Sequence, residues 1–379
     1  MAVREVFEVL YSPVNAFKKI IENPDFKGVV MVLVLVMSSM LVVQYVASSK
    51  INVETRLPET DDWTEMIVDQ HAWTSSGSLS LDGTDYQMGN DDGNHSIASV
   101  VQNETSLWMR VMDFESANCS ADTEYIELFF WMNYTNDQGL LPTSGTIKLF
   151  SGSVDSYFEY DNIENMFTIS GNWTNTTISV GPNQGWSANN SPDWENITGI
   201  EITLEWASAA EVTAKIDGLY FRKYVPFIDV AGIGGVIQLA MVNLALPFAI
   251  DWIIWSGILI IVGKLFQEEL GLWSRFFTII GYSYIVTFIY TILNIAAILS
   301  LPTLNLPADA TMAAAAISET WLPLLGYQMS MYLPIVERLW LAGLAAVVIK
   351  QIRNTVWGKT LTMVAVAFGI RYLLSLFLF

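Results

Sequence analysis

Five apolar stretches are each long enough to cross a bilayer of about 30 Å, which takes roughly 20 helical residues. They fall near residues 29–48, 244–263, 276–300, 332–350 and 360–379. The run over 225–243 makes the second stretch too long for one span and too short for two, so it predicts a separate interfacial or re-entrant helix. Ahead of the first span, in residues 1–28, Leu10, Val14, Phe17, Ile20 and Ile21 recur at helical spacing. Lys18 and Lys19 there can face anionic headgroups, which predicts an amphipathic foot. Over 49–224 the period changes. Runs such as SLWMRVM, YIELFFWMNY, GTIKLF and ITGIEITLEW are separated by Gly/Asn/Asp/Ser/Pro clusters. In EITLEW, Ile202, Leu204 and Trp206 share one face and Glu201, Thr203 and Glu205 the other, the period of a half-buried strand. The expected architecture is a multi-pass helical membrane protein of five spans, its last four in 244–379. Into it is set an all-β sandwich or jelly roll between the first and second spans.

Charge sharpens this division. The chain is 52% hydrophobic yet carries a formal charge of −20. Residues 49–224 hold 27 of the 38 acidic and 7 of the 18 basic residues, which leaves eleven of each sign elsewhere. The whole negative excess therefore belongs to the β region. Basic residues near the spans set the orientation. Arg4, Lys18, Lys19 and Lys27 precede the first span, Lys264 and Arg275 bracket the loop after the second, and Lys350, Arg353 and Lys359 lie between the fourth and fifth. Loop 302–331 has no Lys or Arg, whereas Arg222 and Lys223 run against the pattern. The expectation is a plasma-membrane protein with its N-terminus cytoplasmic, and 49–224 and the C-terminus extracellular. A foot of 28 residues and an apolar run of about 20 favour an uncut signal-anchor over a cleaved signal.

Sequons bear on the same question. Asn94, Asn103, Asn118, Asn133, Asn172, Asn175, Asn189 and Asn196 begin Asn-X-Ser/Thr triplets, all within 49–224, and predict surface glycans. Cys119 is the only cysteine, so no intrachain disulfide exists. Dense sequons, an acidic exterior and no disulfide suit an archaeal cell surface.

Four ionisable residues fall inside the expected spans: Asp251, Glu337, Arg338 and Arg371. Their positions put them in one layer of the outer half of the bilayer, with formal charges summing to zero. Two readings follow, a structural ion-pair cluster or a proton or ion path. In the β region, Trp173, Trp186 and Trp194 sit in loop-like surroundings, where they either stack on sugar faces or pack internally; Trp108, Trp131 and Trp206 sit in strands and are expected in the core. No HExxH, GxSxG or Walker sequence is present, and His71 and His95 have no partner motif, so no enzyme is expected. Nor does a basic patch for nucleic acid exist.

Two family resemblances attach to these residues. The stretch WENITGIEITLEWASAAEVTAKIDGLYF (194–221) resembles the closing strand pair of galactose-binding-like jelly rolls, including carbohydrate-binding modules, through Ile197, Ile200, Ile202, Ile216, Asp217 and Phe221. The resemblance implies glycan binding and a structural calcium on Asp217. Asp82 and Asp85, with Asp91 and Asp92, are further oxygen donors, unless they form a solvated acidic turn. SPVNAF with IIENP (12–24), VGKLFQEELGLWSRFFTIIGYSYIVTFIY (262–290) and LWLAGLAAVVIKQIRNTVWGKTLTMVAVAFGI (339–370) resemble, in order, the segments of the Yip (Ypt/Rab-interacting) membrane proteins. That implies five spans with the C-terminus outside. The β region of about 175 residues stands where that family has a short loop, so a trafficking role does not carry over. The expected function is a Yip-like bundle displaying a glycosylated β-domain that binds glycans or envelope proteins, in the bilayer and as a candidate homo-oligomer. The alternative is a small transporter or channel using Asp251, Glu337, Arg338 and Arg371.

Overall fold

The computed structural model describes residues 2–67, 72–87 and 93–378. The chain forms two units. One comprises Met1–Asn52, Pro226–Asn305 and Ala314–Phe379, and the other Val53–Val225 with Leu306–Ala313. The last segment comes from loop 302–331, and no pattern in the sequence announces it.

The first unit is helical. Its helices are α1 (Ala2–Tyr11), α2 (Pro13–Glu22), α3 (Phe26–Ser48), α4 (Phe227–Ala240), α5 (Leu246–Leu265), α6 (Trp273–Ser283) and α7 (Ile285–Leu299). After α8 (Ala310–Thr320), which begins at the end of the second unit, come α9 (Leu325–Arg353) and α10 (Trp357–Leu378). Among the described residues four helical runs are long and apolar enough to cross a membrane: Phe26–Ser48, Phe227–Leu265, Trp273–Leu299 and Leu325–Arg353. Helix α10 is a further 22-residue helix.

Local chemistry sets the boundaries. Pro13 starts α2 at a position where its missing N–H costs nothing, and Pro24 excludes helical geometry from Asn23. The Asp25 carboxylate caps α3 by accepting from the Lys27 N–H at 2.9 Å. Asn354 ends α9 in the left-handed conformation, its N–H returning to the Lys350 carbonyl.

Two expectations differ from the structure here. The separate interfacial helix over 225–243 is instead α4, which bends at Gly232 and passes through a π-helical segment, Met241–Ala245, into α5. An interfacial helix needs a polar face, whereas α4 exposes Val230, Ile233 and Ile237. The foot also differs. Val6, Val9, Ala16, Phe17 and Ile20 are buried in the same core as Trp255, Phe276 and Ile349. Lys19 is engaged by Glu8 at 2.7 Å. The Arg275 guanidinium donates to the Ile21 carbonyl, and the Tyr282 hydroxyl to the Asp25 carbonyl at 2.6 Å. Gly28 and Gly281 permit this approach: a Cβ on Gly28 would strike the Tyr282 ring, and one on Gly281 would strike Val29 and Trp252.

The second unit is antiparallel. Its strands are β1 (Ile51–Leu57), β2 (Trp73–Ser75), β3 (Ser78–Asp82), β4 (Ser96–Ala117), β5 (Glu127–Asn136), β6 (Ser144–Ser153), β7 (Ser156–Asp161), β8 (Thr174–Ser179), β9 (Ser187–Asn189) and β10 (Ile197–Pro226). The long strands β4 and β10 pair along their length, with a register slip between Glu205 and Ala210. Before the slip, β10 is flanked by β6, which continues to β7 and β9; after it, β10 is flanked by β5, which continues to β8. Ile147 and Leu149 of the first leaf and Leu128, Phe130 and Met132 of the second belong to one buried cluster. The slip therefore folds one sheet into two leaves over a shared core, a sandwich. Cys119 lies in that core, and burial pushes its thiol up to about 12.

Candidate functional site

In the first leaf, alternation sends Ile147, Leu149, Ile202 and Leu204 inward and their neighbours outward. Pairing aligns the outward residues in rows across the strands. Thr74, Arg110, Glu201, Lys148, Glu159 and Ser187 form the middle row. Met112, Gly199, Phe150, Tyr157 and Asn189 lie on one side of it, and Trp108, Thr203, Thr146 and Asp161 on the other. From β4 to β7 the middle row crosses roughly 14 Å, at about 4.8 Å per strand.

The charges in that row hold one another. Arg110 Nε donates to Glu201 Oε2 at 2.7 Å, and its Nη2 makes a second contact to the same carboxylate. Lys148 Nζ lies 3.7 Å from Glu159 and 3.9 Å from Glu201. Aromatic rings bracket both cations: Arg110 sits 5.0 Å from the Trp108 ring and 5.1 Å from Phe150, and Lys148 sits 4.9 Å from Tyr157. Glu201 is nearly buried, with 7% of its side chain exposed, while Arg110, Lys148 and Glu159 are 26–29% exposed. Donors and acceptors are thus fixed in place before any ligand arrives, with half-buried Trp108 and Tyr157 rings beside them. Such a strip suits a neutral polyhydroxylated ligand with apolar faces.

The three tryptophans expected at a sugar site have partners inside the fold. Trp194 stacks on Phe158 at 3.7 Å, and Trp186 meets Trp194 edge-on at 5.9 Å and donates to the Ser179 carbonyl. Both close the edge of the core. Trp173 donates to Asp85 at 2.7 Å. Of the strand tryptophans, Trp206 is core at 3% exposure, whereas Trp108 and Trp131 stand on the outer faces, half-buried.

The calcium set is not assembled as the resemblance implies. Lys215 Nζ lies 2.7 Å from Asp82 and 2.6 Å from Asp85, which places a cation of the chain on both carboxylates. Its hydrogen bond holds the Asp82 carboxyl below the usual range. Asp217 instead meets Asp61. The Gln87 N–H donates to Asp217 at 2.6 Å, and the Thr64 hydroxyl bridges the two carboxyls. The Gly218 N–H donates to Asp61 at 3.4 Å. These are N–H and O–H donors, the surroundings of a carboxylate that is not facing a metal ion. Among the described residues no group of three or more His, Cys, Asp or Glu gathers. Asp91, Asp92 and His71 lie outside the described residues.

In the helical unit Asp251, Glu337, Arg338 and Arg371 all line one cavity of about 540 Å³. Arg371 forms a two-pronged pair with Asp251, Nε to Oδ1 at 2.7 Å and Nη2 to Oδ2 at 2.6 Å. Tyr284 donates to Asp251 at 3.0 Å, and Thr287 to Glu337 at 2.6 Å. The Trp255 ring lies 5.0 Å from the Arg371 guanidinium.

No protein-family model and no curated protein sequence matches the chain. Solved structures that align with about the share of the chain its β unit occupies include the following three. A family 11 carbohydrate-binding module from Clostridium thermocellum, solved with a β-1,3-1,4-mixed-linked tetrasaccharide, is 10% identical over 45% of this chain and 95% of its own, at a TM-score of 0.30. The family 30 module of a cellulosomal cellulase from the same organism is 16% identical over 44% of this chain and 96% of its own, at 0.29. A β-1,2-glucanase from Parabacteroides distasonis is 14% identical over 42% of this chain but 23% of its own, also at 0.30. Alignments at this level assign neither a family nor a ligand.

Proposed function

We propose that this is a non-catalytic membrane protein whose β unit binds carbohydrate on the outer face of its first leaf. The observation that carries the reading is the cross-strand row Arg110–Glu201–Lys148–Glu159, with Trp108 and Tyr157 beside it. Both carboxylates are engaged by cations of the chain itself, an arrangement of fixed donors and acceptors that suits binding. The natural ligands on this reading are glycans of a cell envelope. The test is a glycan array probed with the full chain in detergent, then titration of the best glycan. Trp108→Ala and Tyr157→Ala should each weaken binding roughly 5- to 30-fold, as removal of a central aromatic contact does. Retention of no glycan, or unchanged affinity in both variants, would remove the proposal.

The membrane arrangement is part of the same reading. Arg353 and Lys359 meet Glu268 at 3.0 Å and 2.6 Å, which ties the loop after α5 to the loop after α9. The Arg275–Ile21 contact ties the foot to the start of α6. With α10 as a fifth span, these contacts support a common side for the foot and both basic loops, and the opposite side for loop 302–331. The 306–313 segment of that loop belongs to the β unit, which supports an exterior position for the unit. Gly281 and Tyr282, which help to seat the foot, lie in the Yip-like segment 262–290, and this supports a Yip-like bundle.

Glycans on seven of the eight sequons follow, but not on Asn133. Its side chain is 5% exposed, on a strand paired on both sides. Peptide mass spectrometry of the folded surface protein should find Asn133 bare; a glycan there would contradict the placement of β5.

A further inference from the structure

We infer that the cavity bordered by Arg371 and Arg338 takes the anionic phosphate headgroup of a membrane lipid. The inference rests on the membrane reading of the helical unit, but not on the carbohydrate face. Its basis is an imbalance of donors and acceptors. Asp251 spends both oxygens on Arg371, with a further bond from Tyr284, and Glu337 accepts from Thr287. The cations are not used up in return. Arg371 is 8% exposed, and its buried Nη1 has no hydrogen-bond partner. Arg338 lines the same cavity and has no ion-pair or hydrogen-bond partner among the described residues.

An unsatisfied guanidinium N–H in a nonpolar setting is costly, and a charged side chain in a span is tolerated beside a counter-charge or water. Phosphate oxygens answer both needs, because a guanidinium fork matches their geometry. The cavity also includes Asn243, within the π-helical segment that interrupts the α4–α5 run. Such segments open a helix locally and recur at binding sites.

The direction of entry points to a lipid. On α9 the neighbours of Arg338 are exposed and apolar: Ile335 at 54%, Val336 at 47% and Leu339 at 57%. Arg338 is therefore reached from the flank of the unit that faces acyl chains, and a headgroup can enter with its chains left in the bilayer. Volume is sufficient, since about 540 Å³ exceeds the roughly 300 Å³ at which small-ligand pockets begin.

The test uses the full chain in dodecyl maltoside and native mass spectrometry, titrated with dioleoyl phosphatidylglycerol or dioleoyl phosphatidylcholine. The anionic lipid should bind with roughly tenfold preference, the effect of one charge-assisted hydrogen-bonded contact. Arg338→Gln, at an exposed position, should reduce that preference about tenfold. The double variant D251N/R371Q, which removes the pair together, should also lose it. Competition with millimolar inorganic phosphate separates sources: failure to displace the lipid supports a lipid ligand, and displacement assigns the pocket to a free anion instead. Equal retention of both lipids, or a full preference in R338Q, would overturn the inference. Recovery of the chain from cells without detergent would instead overturn the membrane reading.

Discussion

Arg371→Leu is expected to lose about 3–5 kcal/mol of helical-unit stability, toward the lower end because a quarter of the Asp251 side chain is exposed. The cause is not the loss of attraction alone. With the guanidinium gone, the Asp251 carboxylate keeps only the Tyr284 hydroxyl, and an uncompensated charge stays in a cavity that Ile254 and Phe248 also line. D251N should be comparably damaging, because it strands Arg371. The double variant D251N/R371Q removes both charges at nearly constant volume, and should recover most of the loss, to within about 1–2 kcal/mol of the parent. Thermal unfolding of the parent, D251N, R371Q and D251N/R371Q in one detergent forms the cycle. A double-variant loss equal to the sum of the two single losses would mean that the residues act independently, and that the geometry at 2.6–2.7 Å carries no coupling.

How far this was legible in the sequence depends on whether an interaction is local or distant. In EITLEW, alternation correctly separates Ile202, Leu204 and Trp206 from Glu201, Thr203 and Glu205. The same rule applied to SLWMRVM sends Leu107, Met109 and Val111 inward and Trp108 and Arg110 outward. Membership of a strand alone predicts a core position for Trp108; its parity with Arg110 places it outside. What alternation does not supply is the partner: Glu201 is held by Arg110, 91 residues earlier, and by Lys148, on a third strand. The foot shows the same limit. Its helical period was readable, but the surface buried by Phe17 and Ile20 belongs to helices more than 200 residues later. The positions of Asp251, Glu337, Arg338 and Arg371 stood out because charges inside apolar runs are rare, whereas Thr287, Tyr284 and Asn243 gave no signal. Asp61 belongs to no motif, and the jelly-roll resemblance points Asp217 to a calcium site rather than to Asp61, 156 residues earlier in the chain.

That contact carries the second large expected effect, a β unit that loses stability as pH rises. Asp61 is 4% and Asp217 0% exposed. Burial, the largest cause in each case, pushes Asp61 up to about 9 and Asp217 up to about 6, and each is perturbed by the other. Both folded values lie above the ordinary value of 3.8, so the native state holds more protons than the unfolded chain between about pH 4 and the folded values. The favourable contribution is present in full below about pH 4, and fades as pH climbs through about 6 toward 9. Asp61→Asn puts a permanent neutral donor where the shared proton sits. Its amide oxygen can still accept from Thr64, and its NH₂ can donate to Asp217. The variant should therefore exceed the parent by about 1–3 kcal/mol near pH 8 and match it near pH 4, with a flatter profile between. Thermal unfolding of the β unit within the full chain, followed by near-ultraviolet circular dichroism across that range, reads both the offset and the slope. A variant less stable than the parent at every pH, or parallel profiles, would show that the two carboxyls do not share a proton. Their stability contribution would then come from the N–H and O–H bonds of Gln87, Gly218 and Thr64 alone.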